Sequence, residues 1–351
     1  MIDESLASRP CPWLALGAEA GDVVISTRVR LARNVRGYPM PWKMSADQRD
    51  ELEEMLGTRL GQAELEKGMV SERVDALGPR DRQLLVERHL ISRELSLGNG
   101  RRAVHFSRDE HLAIMTDEED HLRLQALAPG LQVDSTWSYL NGIDSRIEKL
   151  LPYAVSEELG YLTCCPTNVG TGLRVSVMIH VPTLVSTGQI TKVATAAAKV
   201  GLVLRGFRGE GSEATGDLYQ ISNQVTLGRS ESEILGDVRV MVDKVVEWER
   251  GLRKLLLRQS RNDLEDRVWR AWGQLRFARK MGTEEALGHL SSLRLGIHVE
   301  LLHHLRPALV NELFLLIQPA HLQALVGREL DREERDRQRA AFVRRRLSEA
   351  E

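Results

Sequence analysis

The chain has 351 residues, of which 42% are hydrophobic, enough to bury the core of one large domain and a smaller one. Its formal net charge of −2, with acids interspersed among the bases, argues against a basic nucleic-acid-binding surface. No apolar run approaches the ~18 residues of a membrane span, and residues 1–22 lack the basic-then-apolar layout of a signal peptide. We therefore expect a soluble, cytoplasmic protein that binds neither a membrane nor nucleic acid directly.

The cysteines and the basic residues limit the kinds of site that the chain can form. Cys11, Cys164 and Cys165 have neither the number of a disulfide framework nor the spacing of metal ligands, so no metal held by side chains is expected. Arginine far outnumbers lysine, with 40 Arg against 8 Lys, and the guanidinium group suits a bidentate grip on phosphate. Genomic base composition explains such a total equally well, so only the positions of particular arginines are informative.

The first part of the chain mixes strand and helix signals. Polar and apolar residues alternate over residues 23–30, which predicts a strand with Ile25 on an apolar face and with Arg28 and Arg30 on the opposite face. The elements expected next are a helix over 45–60 that begins with a capping box, a helix over 79–95, and a hairpin of strands 102–107 and 112–116.

The apolar spacing turns helical over residues 118–127, which predicts a helix with Glu119 and Arg123 four positions apart on one face. The elements expected after it are a helix over 135–151, strands over 173–181, 202–207 and 217–227, a helix over 191–200, and a long capped helix from Ser230. Beyond about residue 252 only helical patterns occur. The predicted units are an N-terminal segment (1–22), a catalytic domain (23–252) and a helical C-terminal domain (253–351).

Residues 163–172 form a small thiol-bearing turn that has no evident packing purpose, which is typical of an active-site loop. Arginines recur around it in the sequence, as Arg28, Arg30, Arg123, Arg174 and Arg205. Transfer of a γ-phosphoryl group requires positioning and neutralisation of spread negative charge, which arginines and a magnesium ion can supply. The chain has no P-loop, no kinase-type glycine-rich loop and no His-Arg-Asp loop. The pattern therefore predicts phosphoryl transfer on another architecture.

Four segments in matching order resemble the phosphagen (guanidino) kinases, namely residues 26–30, 118–123, 165–171 and 205–210. The resemblance covers roughly residues 23–251 and implies an α+β fold. An antiparallel sheet flanked by helices, of the glutamine-synthetase-like kind, would carry ATP on its arginines, and an all-helical C-terminal domain would follow.

The resemblance also has a departure. Phosphagen kinases for creatine or free arginine carry a helical N-terminal domain that helps to enclose the small substrate, whereas here the Ser-Thr-Arg-Val-Arg strand begins at residue 26. The chain is therefore more similar to the bacterial McsB-type protein arginine kinases, which phosphorylate arginine side chains in proteins. Residues 335–340 fit the Arg-Asp-x-x-Arg-Ala motif by which those enzymes recognise phosphoarginine allosterically.

The resemblance implies residue roles. Glu119 and Glu210 would hold the substrate guanidinium and accept its proton, and Cys165, as a thiolate, would add negative potential without attacking the substrate. The cofactors would be ATP and Mg²⁺, and the ATP-binding residues would be Ser26, Thr27, Arg28, Val29, Arg30, His89, Arg123, Arg174, Val175, Ser176, Val177, Met178, Arg205, Gly206, Phe207, Arg208, Gly209 and Glu210. The allosteric motif would comprise Arg335, Asp336, Arg337, Gln338, Arg339 and Ala340.

The resemblance implies a setting in stress response and protein degradation. Its expected partners are protein substrates with exposed arginine, including a stress-gene repressor, together with a Clp protease chaperone and a zinc-binding activator protein. The apolar faces of the C-terminal helices make a homodimer plausible, although they can equally pack on the catalytic domain.

Alternatives remain open at this stage. Glu119 and Arg123 alone are compatible with a surface ion pair, Glu210 with a solvated loop residue, and His89 with a helix histidine. The 335–340 motif also fits a plain charged helix, and Cys164 a small buried residue. A kinase for a free guanidino compound and a non-catalytic phosphoarginine-binding adaptor are the competing functions.

Overall fold

The computed structural model describes residues 4–15, 17–206 and 215–349. The strands of these residues are β1 (Val24–Arg33), β2 (Val70–Arg73), β3 (Ala103–Phe106), β4 (Leu112–Thr116), β5 (Leu122–Pro129), β6 (Val155–Ser156), β7 (Gly160–Tyr161), β8 (Leu173–His180), β9 (Leu202–Gly206) and β10 (Leu218–Asn223). The α-helices are α1 (Ala46–Gln62), α2 (Pro79–Glu87), α3 (Arg93–Leu97), α4 (Val133–Glu148), α5 (Pro182–Ser186), α6 (Ile190–Lys199), α7 (Glu231–Gln259), α8 (Arg261–Phe277), α9 (Thr283–His298), α10 (Pro307–Leu316), α11 (Pro319–Val326) and α12 (Arg332–Ser348).

Eight strands form one antiparallel sheet in the order β2-β3-β4-β5-β1-β8-β10-β9, with β1 near its centre. One face of this sheet is apolar. Val29 and Leu31 of β1 and Val175 and Val177 of β8 are completely buried there, and α4 and α7 pack over them. The predicted α+β fold with a helix-flanked antiparallel sheet is confirmed. The opposite face of the same strands is polar and carries the candidate site.

The segment over residues 118–127 is a strand and not the predicted helix. β5 begins at Leu122 and pairs with β1 on one side and with β4 on the other. Its apolar residues alternate with Arg123 and Gln125, so the period of two was present in the sequence but was read as a helical spacing. Glu119 instead lies in the tight turn between β4 and β5, where Asp117 has a positive φ of 49°.

Three further expectations needed correction. The helix predicted over 79–95 is divided into α2 and α3, because His89 between them adopts a left-handed φ of 60°. β10 ends at Asn223 and is therefore shorter than the strand predicted over 217–227. A bulge between Val24 and Ser26 turns Ile25 away from the sheet's apolar core, and it packs with the C-terminal helices.

The C-terminal part is helical from α8 to α12, as predicted. Its apolar residues form one cluster with Trp13 of the N-terminal segment and with Leu127 and Met178 at the end of the polar face. α7 runs without interruption across residue 252, where the sequence placed a domain boundary. Among the described residues no single helix is long and apolar enough to cross a membrane, although α10 and α11, bent by 89°, pass this test of length and composition together.

Candidate active site

The polar face of the sheet brings the predicted arginines together. Arg30 of β1 lies directly opposite Arg174 of β8, and Arg28 lies opposite Ser176. On the other side of β1, Arg123 of β5 pairs with Ala32. Residues directly opposite one another on paired strands project to the same face, so these side chains share one surface. We call Arg28, Arg30, Arg123 and Arg174 the arginine face.

Arg205 lies further along the same surface. It stands opposite Gln220 of β10, and Gln220 in turn stands opposite Met178 of β8. The guanidinium of Arg28 donates to Gln220 Oε1 at 3.0 Å, which connects this outer strand to the arginine face. Sequence analysis missed Gln220, although the period of two in β10 puts it on the same face as Arg205.

Arg28 and Arg30 have unusual electrostatics. Burial, together with the neighbouring charges of Arg123 and Arg174, lowers the pKa of Arg28 to about 10. Burial and then the charge of Arg28 lower the pKa of Arg30 well below its usual value. Arg30 Nε is buried without a hydrogen-bond partner in the described part of the chain. Cations that repel one another, one of them with a buried donor lacking an acceptor, are stabilised by a polyanion, so these residues fit the phosphates of ATP.

A shallow recess opens beside Arg28. Its lining contains five of the predicted ATP-binding residues and two others, namely Ser26, Arg28, His89, Ser176 and Met178 with Leu127 and Gln220. Burial, followed by the charges of Arg28 and Arg30, lowers the pKa of His89 to about 3, which keeps the imidazole neutral. The recess therefore joins neutral and apolar groups to the edge of the arginine face.

Some predicted ATP-binding residues lie elsewhere. Thr27, Val29, Val175 and Val177 project from the opposite, apolar face, and the Thr27 hydroxyl donates to Gly130 O at 2.7 Å. Their side chains hold β1 and β8 in place and do not line the recess. Gly206 ends β9, and Phe207, Arg208, Gly209 and Glu210 lie outside the described residues.

The turn between β4 and β5 brings carboxylates to the arginine face. Arg123 donates to both oxygens of Glu118 at 2.6 Å, so its partner is Glu118, and the alternative of a surface ion pair with Glu119 is not what these contacts show. Although burial opposes ionisation, the charge of Arg123 holds the pKa of Glu118 below its usual value. Glu119 is exposed in the turn, and partial desolvation of its carboxylate, followed by the charge of Asp120, raises its pKa. A carboxylate with a raised pKa is a better proton acceptor, which is the chemistry predicted for Glu119.

The thiol-bearing loop is attached to this turn. Asp120 Oδ1 accepts hydrogen bonds from the backbone N–H of Cys164 at 2.7 Å and from the side-chain amide of Asn34 at 2.6 Å. Burial and the Asp120 carboxylate raise the pKa of Cys164, so this thiol stays neutral. Cys165 Sγ lies 3.0 Å from the hydroxyl of Thr167. The loop thus lies next to the turn that carries Glu119, as an active-site loop requires.

The predicted phosphoarginine motif lies on α12. Arg339 is only 1% exposed and donates to Ile317 O, Met281 O and Asp336 Oδ1. Arg335 donates to Leu330 O at 2.8 Å. Binding of phosphoarginine by this motif would require Arg335 and Arg339 to straddle the phosphoryl group and Asp336 to face the guanidinium, whereas here Arg339 and Asp336 bind each other.

Of the other members of this motif, Arg337 pairs with Glu333, and Ala340 is buried against the helical core. Within the described residues no three His, Cys, Asp or Glu side chains are grouped so that they could hold a metal ion. The candidate site therefore consists of the arginine face, the recess beside it, and the adjoining turn and loop that carry Glu119 and Cys165.

Comparisons with known proteins agree with this geometry. Residues 51–252 match the catalytic domain of the ATP:guanido phosphotransferases, and residues 261–351 match the C-terminal domain of the protein-arginine kinase McsB. Over 344 residues the chain is 45% identical to the "Protein-arginine kinase" of Moorella thermoacetica, covering 97% of this chain and 98% of that protein. It is also 41% identical over 350 residues to the protein of that name from Desulforamulus reducens, covering 99% and 98% of the two chains.

A solved structure, a taurocyamine kinase from Schistosoma mansoni, superposes with a TM-score of 0.58 at 28% identity and covers 70% of this chain and 35% of that one. The fold and the site define a phosphotransferase built on the guanidino-kinase sheet. The chain belongs to the ATP:guanido phosphotransferase family and, within it, to the protein-arginine kinases.

Proposed function

We propose that the chain transfers the γ-phosphoryl group of ATP, bound as its magnesium complex, to the guanidinium group of arginine side chains in proteins. The observation that carries this proposal is the arginine face, where Arg30 lies among like charges and its Nε has no partner in the described part of the chain, near the turn that holds Glu119. The sheet supplies the charge that a polyphosphate needs, and the adjacent carboxylate supplies the charge that a guanidinium needs.

The proposed reaction follows from the placement of these groups. Arg28, Arg30, Arg123 and Arg174 would hold the phosphates and neutralise the charge that spreads over the oxygens of the transferring group. A guanidinium nitrogen then bonds to the γ-phosphorus while the bond from that phosphorus to the β,γ-bridging oxygen breaks, and ADP leaves. The guanidinium gives up one proton as the new N–P bond forms. We assign the role of proton acceptor to Glu119, supported by its position in the turn beside the arginine face.

Cys165 and Glu210 complete the proposed substrate site. Cys165 lies in the loop attached to the Glu119 turn through Asp120. We assign to it a negative potential against the guanidinium and no covalent role. Glu210 is proposed as the second guanidinium carboxylate on the sequence resemblance alone. Two carboxylates would fix the orientation of the planar group and leave one nitrogen free to attack.

The direct test is to incubate the protein with Mg-ATP and an unstructured, arginine-rich protein and to identify the phosphorylated residue. The expected product is a phosphoramidate on arginine that is labile in acid and stable in base. The variant Glu119→Gln should lose activity by about 10²–10³-fold, since the orienting charge and the proton acceptor disappear together. Glu158→Gln, in an exposed loop, serves as the matched control with unchanged activity. Phosphoserine as the product, or preferential phosphorylation of free arginine, would contradict the proposal.

The finer assignments are also proposals. We propose the division into 1–22, 23–252 and 253–351, and the Arg335–Ala340 segment as a phosphoarginine-binding regulatory motif, supported by its match to Arg-Asp-x-x-Arg-Ala. We further propose a cytoplasmic homodimer that acts in the stress response. Its partners would be a stress-gene repressor, a Clp protease chaperone and a zinc-binding activator protein. Adding free phosphoarginine and measuring the rate with wild type and with Asp336→Asn tests the motif, because only the wild type should respond.

A further inference from the structure

One of the contacts between the C-terminal helices and helix α2 involves a charged residue that sequence analysis did not single out. Glu87 is the last residue of α2, and its side chain is only 5% exposed. Its carboxylate accepts hydrogen bonds from the backbone N–H of Ala320 at 2.9 Å and of His321 at 3.0 Å, both in the first turn of α11. The ring Nδ1 of His321 lies 2.8 Å from the same carboxylate. Glu87 thus caps a helix of the C-terminal domain.

This arrangement is costly for α2 itself. A negative charge at the C-terminal end of a helix is repelled by the partial negative charge of the last carbonyl groups. The same charge at the N-terminal end of another helix is stabilised by the exposed N–H groups and by the helix dipole. The charge of Glu87 therefore destabilises the end of α2 and stabilises the contact between α2 and α11.

The residues that follow Glu87 lead directly to the recess. Arg88 forms a completely buried ion pair with Glu110 of the hairpin between β3 and β4. His89 comes next, with its left-handed φ of 60°, and lines the recess beside Arg28. Its ring stands edge-on to Trp13 at 4.9 Å between ring centroids.

Left-handed backbone is unfavourable for a histidine and persists only when its surroundings determine it. Here the surroundings include Glu87, the Arg88–Glu110 ion pair, the Trp13 ring against the His89 ring, and the Gln125 side-chain amide, which donates to His89 O. The partners of Glu87 belong to the C-terminal helices.

The position of α11 is fixed in turn from within the C-terminal domain. Arg339 of α12 donates through Nε to Ile317 O at 3.0 Å, two residues before α11 begins. The backbone N–H of Leu330, in the connection to α12, donates to Gln323 Oε1 at 2.8 Å. A shift of α12 would therefore move the first turn of α11, and with it the groups that bind Glu87.

We propose that Glu87 is a positioning residue that couples helix α11 to His89, so that the C-terminal helices contribute to nucleotide affinity at the recess. The inference rests on the proposed function only in taking the recess as part of the nucleotide site. Glu87 does not touch the nucleotide and acts through the backbone and ring of His89. The sheet arginines remain in place without it, because they are held by β1, β5 and β8.

The test compares the dissociation constant of MgADP and the KM for ATP in wild type, Glu87→Gln and a control. Glu87→Gln keeps the shape of the side chain but removes the charge that binds the first turn of α11. We expect both constants to rise by about tenfold, in the range of known coupling energies, while kcat at saturating ATP changes less than about threefold. The matched control Glu329→Gln removes the same charge from an exposed residue in the connection after α11 and should leave both constants unchanged.

A double-mutant comparison separates this role from a purely structural one. His89→Asn removes the ring but retains a residue that tolerates left-handed backbone. If Glu87 acts through His89, the substitution Glu87→Gln has no further effect on MgADP binding in the His89→Asn background. The same loss in both backgrounds, or no loss in the wild-type background, would overturn the proposal. Glu87→Asp, which keeps the charge but shortens the reach, should show an intermediate loss and replaces Glu87→Gln if that variant does not fold.

The outcomes for the two proposals are distinguishable. MgADP binding is measured without phosphoryl transfer, so a protein that binds MgADP but phosphorylates no arginine refutes the proposed function and still tests the coupling. A protein that phosphorylates arginine normally, and whose MgADP affinity is indifferent to Glu87→Gln, refutes the coupling alone.

Discussion

Two faces of the same strand carry arginines with opposite surroundings. Arg30 faces Arg174 and the rest of the arginine face, and its Nε has no partner in the described part of the chain. Arg33, three residues later, projects to the other side, where Asp144 Oδ2 accepts from its Nε at 3.1 Å and from its Nη2 at 2.7 Å. Its third nitrogen donates to Ala32 O and Thr171 O, and its guanidinium stacks 3.6 Å from the Tyr161 ring centroid.

The difference in hydrogen-bond acceptors indicates which arginine is structural and which binds a ligand. Arg33 has its charge balanced and its donors satisfied inside the fold, so it contributes to the structure and needs no ligand. Arg30 is partly buried among like charges and is therefore destabilising until an anion arrives. The acceptors around each guanidinium distinguish the structural arginine from the ligand-binding one.

The largest expected effect that tests this comparison is the loss of activity in Arg30→Gln. Removing a charge that the phosphates need should lower kcat/KM by about 10²–10³-fold. The thermal midpoint in the absence of nucleotide should stay the same or rise, because the repulsion from Arg28, Arg123 and Arg174 is relieved. Steady-state kinetics and calorimetric unfolding check the two parts. A clear loss of stability without nucleotide would show that Arg30 is structural.

Arg33→Gln should show the reverse pattern. Asp144, with a side chain only 5% exposed, loses its cationic partner, and we expect unfolding to become easier by about 3 kcal/mol. At temperatures where the variant is folded, its KM for ATP should remain within about threefold of wild type, since Arg33 faces away from the recess. Chemical denaturation with parallel ATP titrations measures both. An unchanged stability would contradict the role assigned to the ion pair.

A smaller effect is expected from Glu53, a buried carboxyl group that also has an oxygen without a partner in the described part of the chain. Glu53 of α1 is 7% exposed, and its Oε2 has no partner within the described residues. Burial, opposed by the hydrogen bond from Thr116, raises the pKa of Glu53 from its ordinary 4.5 to about 7. The neutral form is therefore preferred in the folded state, and the contribution of Glu53 to stability is complete below pH 4.5 and is lost as the pH rises through about 7.

Glu53→Gln removes this titration. The variant should be more stable than wild type by about 2 kcal/mol above pH 8, and the advantage should shrink towards zero as the pH falls to about 5. The free energy of unfolding across this pH range is the measurement, with the exposed Glu158→Gln as the control. A constant difference between Glu53→Gln and wild type at all pH values would show that Glu53 does not titrate in this range.

The sequence predicted the arginine face because strand period and motif agreed. The alternation around Arg28 and Arg30 gave β1 and its polar side correctly, and the family resemblance supplied Arg123 and Arg174. The segment around Glu119 was misread as helical, because a short turn followed by three alternating apolar residues also fits a helical spacing. Its pairing with β1 and β4 makes this segment a strand. Such pairing joins residues that are distant in the chain, so a local pattern does not predict it.

Other features depend on partners that are distant in the chain. Arg33 lies one residue out of phase with Arg30, and its acceptor Asp144 comes more than a hundred positions later in α4. The break at His89 depends on Trp13 and on Glu87, whose partners are in α11. No local sequence pattern predicts such contacts. The burial of Arg339 in the predicted regulatory motif was missed for the same reason, since its acceptors Ile317 and Met281 are supplied by the ends of other helices.

The most direct measurement for the central claim is calorimetric titration of MgADP into wild type, Arg30→Gln and Arg33→Gln. If the arginine face is the phosphate site, wild type and Arg33→Gln bind with similar affinity, and Arg30→Gln binds at least about 100-fold more weakly. Equal binding by Arg30→Gln and wild type would contradict the claim, because Arg30 would then have no phosphate to bind.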